Sequence, residues 1–534
     1  QPRGLAVRTS ELAMPRELDD PRRMVASHRL ASITLALAGI AYSGAPAAED
    51  RPRPVPARFS ALARELASAV ADGMPPAIAV AIVRNGRVVW EAGFGVTDRE
   101  ARTPATEHSQ FAVGSVVKSV TASTLMRLAE RGAIDLDAPL GRYLPGAVKA
   151  RAGGDARITA RALLSMTAGI PHFWYFVWEN DHDDIHLRTL LDQSAVSVFP
   201  PGETYHYSNL GFGIAEQLIA SVARAPVTDV VAREVFAPLK MRSSCLCGPQ
   251  NTCRPLRYAA EGVEVRGLRY QEPVGGAGLV SSAHDLALFA AAHLGHEPSG
   301  RGWLSATARA QMHRSMREAW HYGLGWGVDD AGALVSDGAV LGGAGIVKLM
   351  PRDDVAAVVV TNAVEKNSAT YAFVDRLLAA ELGRELAAPR RPEFFSRKPF
   401  TPSAQQLGAW SGAVEVSGKT VALRAQLSET GELRIGVGEQ PIVAVTGVRI
   451  EAGLLRGDIA ARLPLIDEAE PHTLALYLRP VGERLDGYLL ATSSGARNHF
   501  GLPFPASLTR DGPTAGRAPL LRESPSTQGR RERH

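Results

Sequence analysis

Ser115 and Lys118 stand three residues apart in Phe111-Ala-Val-Gly-Ser-Val-Val-Lys118, a pair suited to nucleophilic catalysis. At i and i+3 on a helix, two side chains share a face with Cβ atoms about 5–6 Å apart, so hydroxyl and ammonium can meet. A serine hydroxyl is a weak nucleophile until a neighbour takes its proton. A lysine does this when burial or another cation lowers its pKa toward neutrality. Val113, Val116, Val117 and Val120 surround the pair with uncharged side chains. Gly114 permits a tight entry, and a helix starting here would favour negative charge developing near Ser115. Among the lysines of the chain, only Lys118 follows a serine at this distance.

Pro200-Pro-Gly-Glu-Thr-Tyr-His-Tyr-Ser-Asn209 holds the only Tyr-x-Asn, Tyr207 and Asn209. A phenol beside a lysine ammonium is pushed toward phenolate and could shuttle the proton of Ser115. An amide at i+2 could hold the lysine and a substrate carbonyl together. The same two residues would equally serve as a buried tyrosine and a helix cap. Ser336-Asp-Gly-Ala339 lies just before an apolar hairpin, where an edge strand could border a cleft. Of the neighbouring residues, His172 and His206 read as structural histidines rather than bases. Phe173 to Trp178 is an aromatic run that suits either an acyl pocket or core packing. Asp181-His-Asp-Asp-Ile-His186 has a metal-like composition but reads as a solvated loop, so no metal and no cofactor are expected.

These residues need a scaffold, and the hydrophobic pattern supplies one. Arg58 to about Ala71 reads as a helix with Phe59, Leu62, Leu66 and Val70 on one face. Ala77 to Val83 and Val88 to Phe94 flank Asn85-Gly86, the strongest short hairpin signal. A second hairpin, Leu341 to Met350 and Val355 to Thr361, is followed by a helix from Ser368 to about Leu386. A helix-hairpin start and a hairpin-helix finish predict an α+β fold. One antiparallel sheet is flanked by the N- and C-terminal helices, with a mostly helical region between. After a Pro-rich linker at 389–403, the runs Thr420–Leu427, Glu432–Val437, His472–Leu478 and Leu485–Thr492 predict an all-β, barrel-like module over 404–510. The Pro-, Gly-, Ser- and Arg-rich stretch 511–534 reads as a disordered tail.

Composition narrows the function classes. The chain has 59 basic and 55 acidic residues and no basic run interleaved with aromatics, so no nucleic-acid partner is expected. Arg22-Arg23-Met24, the apolar run Leu30 to Tyr42 and the small residues ending Ala45-Pro-Ala-Ala48 describe an export signal, so 1–48 reads as upstream sequence followed by a signal peptide. That run is too short for a membrane span of about 20 residues, so no integral membrane segment is expected once it is removed. The expected location is periplasmic or secreted. In that compartment Cys245, Cys247 and Cys253 should form one local disulfide to Cys253 and leave one thiol.

Taken in order, the motifs resemble the serine β-lactamase-related hydrolases: class C β-lactamases, D-alanyl-D-alanine carboxypeptidases, D-amino-acid peptidases and family esterases. The resemblance runs from about Arg58 to Leu386. It rests on Ser-x-x-Lys at 115–118, Leu163-Leu-Ser-Met-Thr-Ala-Gly-Ile-Pro171, and Pro-Pro-Gly…Tyr-Ser-Asn at 200–209. Ala237-Pro-Leu-Lys-Met241, Gly275-Gly-Ala-Gly-Leu-Val-Ser-Ser282, Tyr322-Gly-Leu-Gly-Trp326 and the last hairpin complete it. The resemblance implies a β-lactamase-like hydrolase domain over 49–388 acting on a small molecule or short peptide through an acyl-enzyme on Ser115. Lys118 and Tyr207 would share the proton, and Asn209, Ser336, Gly338 and Ala339 would orient the substrate. The backbone N–H groups of Ser115 and Ala339 would form the oxyanion hole.

Two departures follow. The third motif is usually Lys or His, a small residue and Gly, but here it is Ser336-Asp337-Gly338. Leu341-Gly342-Gly343 offers a second register, also without a cation. The missing cation implies esters or amides without a free carboxylate. It also leaves open an inactive relative that binds cell-wall peptides. Met166 stands where the family usually has His.

Overall fold

The computed structural model describes residues 54–71, 75–150, 158–178, 195–247, 253, 255, 257–258, 264–265, 268–270, 274–297, 302–363, 368–387, 396–416, 418–464, 472–494 and 498–512. The expected export signal, the Asp181–His186 stretch and the C-terminal tail from residue 513 lie outside them. All the described residues belong to one compact unit, Pro52–His534.

Asn85 and Gly86 take φ of 49° and 71°, the left-handed pair that a two-residue hairpin turn requires. They join strands Ala77–Arg84 and Arg87–Asp98. The second hairpin, Gly343–Met350 and Val355–Thr361, pairs with Ala77–Arg84 through Val355–Thr361, and strand Leu334–Val340 adds to its outer side. The order is Leu334–Val340, Gly343–Met350, Val355–Thr361, Ala77–Arg84, Arg87–Asp98, with Gly327–Val328 and Thr103–Pro104 as short end strands.

Strand alternation sends every second side chain to each face. Ile78, Val80, Ile82, Ile346 and Val359 share an apolar cluster with Phe59, Leu62 and Leu66 of helix Ser60–Ala71 and with Val374, Leu377 and Leu378 of helix Ser368–Leu382. On the other face, Ala79, Ala81, Val347, Val358 and Val360 pack with Val117, Val120 and Leu125 of helix Val117–Glu130 and with Leu286 and Phe289 of helix Ala283–Leu294. At about 1.5–3 kcal/mol for each fully buried large apolar side chain, these two layers hold the sheet.

Helix Val117–Glu130 is buried on nearly all sides, so its polar side chains bond back to its own carbonyls. Ser123 Oγ donates to Ser119 O at 2.7 Å and Thr124 Oγ1 to Val120 O at 2.9 Å. No helix among the described residues is long and apolar enough to cross a membrane. Cys245 pairs with Cys253. Cys247 stays free, its thiol pushed up to about 11 by burial.

The C-terminal module is an antiparallel sheet. Leu454–Ala461, His472–Val481, Arg484–Ser494, Asn498–Arg510, Gly408–Val416, Lys419–Leu427 and Leu433–Val437 run side by side. It curls into a half-barrel: the short end strands Lys398–Pro399 and Val443–Ala444 do not pair with each other. The barrel-like expectation therefore holds only as far as a curled, open sheet. Lys398–Pro399, within the expected linker, already pairs with Arg449 and Ile450. The aromatic run supplies a further strand, Trp174–Trp178, whose backbone pairs with Asn498–Gly501 of the module and with Leu268–Tyr270. The buried Phe173 belongs to the core and the half-buried Trp174 packs onto Gly501.

Candidate active site

The nucleophile candidate sits at a junction of close backbone contacts. Strand Phe111–Gly114 ends at Gly114, whose φ of +53° turns the chain into helix Val117–Glu130. A Cβ on Gly114 would lie 2.9 Å from Val340 Cγ1 and 3.0 Å from Ala339 O, so a larger residue has neither the conformation nor the space. A Cβ on Gly338 would lie 2.3 Å from the backbone nitrogen of Ser115 and 2.3 Å from Val113 O. Strand Leu334–Val340 therefore runs directly against the Ser115 backbone only because residue 338 is glycine.

Two other segments close around Lys118. Ser208 caps helix Asn209–Ala223 by accepting the Gly211 N–H at 2.8 Å, and its own hydroxyl donates to Pro171 O at 2.6 Å. The cap places Asn209 at the first position of the helix, facing the lysine. The short helix Val274–Ala277 brings two glycine carbonyls to helix Val117–Glu130. Thr121 Oγ1 donates to Gly275 O at 2.9 Å and Lys118 Nζ to Gly276 O at 2.6 Å. A Cβ on Gly276 would come within 3.1 Å of Asn209 O. Behind the helix, Gly325 of Tyr322-Gly-Leu-Gly-Trp326 presses on Lys118 O, where a Cβ would stand 2.7 Å away.

The result joins residues far apart in sequence. Lys118, only 2% exposed, donates to Ser115 Oγ at 2.9 Å and to Asn209 Oδ1 at 2.7 Å. Tyr207 OH donates to Ser115 Oγ at 2.8 Å, and the Lys118 nitrogen lies 4.7 Å from the Tyr207 ring centroid. One serine oxygen thus meets two groups able to exchange protons with it. With Gly276 O, the ammonium has three acceptors for its three hydrogens. As a neutral amine it would keep a lone pair for the serine proton.

The third motif is arranged differently from its expected role. Ser336 is buried and its hydroxyl donates to Ser119 Oγ at 3.0 Å and to Val116 O at 3.4 Å. It ties strand Leu334–Val340 to the Ser115 helix, so its side chain does not face a substrate. The register pairs Asp337 with Ile346, which packs on the terminal-helix face, so the exposed Asp337 side chain stands on the face opposite to Ser336. Its charge is still felt nearby. Burial first, then neighbouring tyrosines and Asp337, hold the Tyr205 and Tyr322 hydroxyls well above the usual phenol range. Ala339 is exposed, next to the Gly338–Ser115 contact.

Several participants carried no chemical role in the sequence reading, and the structure keeps His172 and His206 structural, as read there. Gly276 was visible only as part of a Gly-rich stretch, where repeated glycines signal close backbone approach. Met166 takes φ of +61° and is buried; its carbonyl accepts the His206 N–H at 2.7 Å and its Sδ the Ser208 N–H at 3.3 Å. It anchors the Tyr207 segment from the side where a histidine was expected. His172 packs its ring against Tyr207 with centroids 5.3 Å apart. Burial, with the charges of Lys118 and Arg456, lowers His172 to about 3, and burial with His172 and Arg456 lowers His206 to about 3. Both imidazoles are therefore neutral near pH 7, and the Nε2 of His206 bonds Tyr488 OH at 2.6 Å rather than Ser115. No group of His, Cys, Asp or Glu side chains able to hold a metal ion occurs among the described residues.

Comparison with known proteins places this geometry in a family. The family model described as Beta-lactamase matches residues 62–381. Penicillin-binding protein 4 of Amycolatopsis lactamdurans is 28% identical over 370 residues, covering 64% of this chain and 94% of its own. Esterase EstB of Burkholderia gladioli is 30% identical over 311 residues, covering 49% of this chain and 77% of its own. The crystal structure of SurE with D-Leu matches with a TM-score of 0.56 and 22% identity, over 84% of this chain and 100% of that one, which is a likeness of fold. Since the family match takes in more than half of the chain, including Ser115, Lys118, Tyr207, Asn209 and the strand laid against them, the chain belongs to the beta-lactamase family.

Proposed function

We propose that this chain is a serine hydrolase that forms an acyl-enzyme on Ser115 and prefers esters or amides with no free carboxylate near the reacting carbonyl. The observation that carries the reading is the serine oxygen held 2.9 Å from Lys118 Nζ and 2.8 Å from Tyr207 OH. Ser115 Oγ attacks the carbonyl carbon while its proton passes to Lys118 or Tyr207. The carbonyl oxygen becomes an oxyanion received by the N–H groups of Ser115 and Ala339. The carbon–leaving-group bond then breaks, and the same proton goes to the departing alcohol or amine. Water attacks the serine ester, gives a proton back through the same pair, and frees the acid and Ser115.

Asn209 orients the lysine and reaches toward the substrate carbonyl. Ser336 contributes by fixing strand Leu334–Val340, and Gly338 by letting the strand approach. The absence of a cation at 336 and the negative field of Asp337 both disfavour a carboxylate at that end of the cleft. Work outside the cytoplasm is supported by the signal-like stretch before Ala48 and by the Cys245–Cys253 disulfide.

A substrate panel tests the reading. Turnover of p-nitrophenyl butyrate is expected to exceed that of nitrocefin, which carries a carboxylate, in kcat/KM. The reverse order would remove the carboxylate argument. No turnover of any ester, with no labelling by a fluorophosphonate, would instead favour a binding protein that has lost the reaction.

A further inference from the structure

We propose that Tyr488, carried by the C-terminal module, is a positioning residue for Tyr207, an inference that rests on the reading of Ser115 and Tyr207 above. Tyr207 lies in Thr204–Ser208, a segment outside any helix or strand, so the site of its hydroxyl is set by what grips its neighbours. One grip comes from within the family domain, through Met166 and Pro171. The other comes from the module. Tyr488 OH lies 2.6 Å from Nε2 of His206, the residue before Tyr207. The same oxygen accepts the backbone N–H of His172 at 3.4 Å, and the His172 ring packs on Tyr207. A single phenol therefore holds both the residue preceding Tyr207 and the ring that braces it.

The protons are consistent with this. Tyr488 stays protonated, its hydroxyl raised well above the usual range by burial, and it donates to an imidazole that burial keeps neutral. The hydrogen on His206 then sits on Nδ1. Tyr488 is itself held firmly. It is fully buried, stacks on Tyr477 with centroids 4.6 Å apart, and the Arg456 guanidinium lies 3.4 Å from the Tyr477 centroid. Val196, Val198 and Phe199 of the family domain pack with Leu454, Tyr488 and Leu490 of the module in one apolar cluster. A misplacement of about 1 Å at a reacting group can cost on the order of a hundredfold in rate. The module thus completes the site that the family domain begins.

The test uses the full chain and follows fluorophosphonate labelling of Ser115 alongside ester turnover. Tyr488→Phe keeps the ring and its stack and removes only the hydroxyl. We expect labelling and kcat/KM to fall by roughly tenfold to a hundredfold. On a Tyr207→Phe background the same change should alter the labelling rate by no more than about twofold, because the residue it positions is already gone. An unchanged rate in Tyr488→Phe, or equal losses on both backgrounds as a general loosening would give, overturns the proposal. If Tyr488→Phe does not fold, His206→Asn cuts the same bond from the other side and is read in the same way. Turnover surviving in Ser115→Ala would sink the reading of Ser115 as the nucleophile. A Ser115-dependent rate indifferent to Tyr488→Phe would sink only this one.

Discussion

Lys118→Met should leave a folded protein and lower kcat/KM on a p-nitrophenyl ester by about 10⁴-fold, the upper end of what a positioned general base contributes. Methionine matches the length of the lysine stem and suits a site that is 2% exposed. It cannot take the Ser115 proton, and it removes the ammonium from Asn209 Oδ1 and Gly276 O. Losing a partner for a buried polar group costs about 1–3 kcal/mol, so some stability should go with the activity. Steady-state kinetics together with a thermal melt separate the two. A loss of less than tenfold in a folded variant would mean that the serine proton leaves by another route.

Gly338→Ala should lower kcat by about 10²–10³-fold, as large an effect as removing an oxyanion donor, although no side chain in the site is changed. The added carbon would stand 2.3 Å from Ser115 N and 2.3 Å from Val113 O. Both are backbone atoms held in strand Phe111–Gly114 and its turn, so strand Leu334–Val340 must retreat and carry Ala339 away from Ser115. The same substitution should slow fluorophosphonate labelling, because that reaction needs the same oxyanion pocket. Labelling and turnover at full rate would show that the Ala339 N–H is not used.

Much of this site was legible because its chemistry is local. The i, i+3 spacing of Ser115 and Lys118 is a property of one short segment, whereas the helix cap read at Asn209 falls one residue earlier, on Ser208, and leaves the Asn209 amide for the lysine. The Asn85-Gly86 turn likewise fixes its hairpin with no help from the rest of the chain. What the sequence hides depends on register and on distant packing. Ser336 and Asp337 are adjacent, and only the pairing with Val347 and Ile346 decides which faces the Ser115 helix. A shift of one residue would exchange them. The Phe173–Trp178 run could not be assigned to pocket or core because its strand partner, Asn498–Arg510, lies more than three hundred residues on. The Tyr488–His206 bond spans 282 positions and joins two modules that read as separate in composition. The open edge of the half-barrel was equally hidden, since alternation marks a strand without saying what closes its sheet.

The most direct measurement of the central claim is a mass map of the chain after brief exposure to a fluorophosphonate and, separately, to a p-nitrophenyl ester quenched in acid. One adduct is expected on the peptide containing Ser115, absent from Ser115→Ala and slowed in Lys118→Met. An adduct on another residue, or ester turnover that persists with Ser115 replaced, would contradict the account.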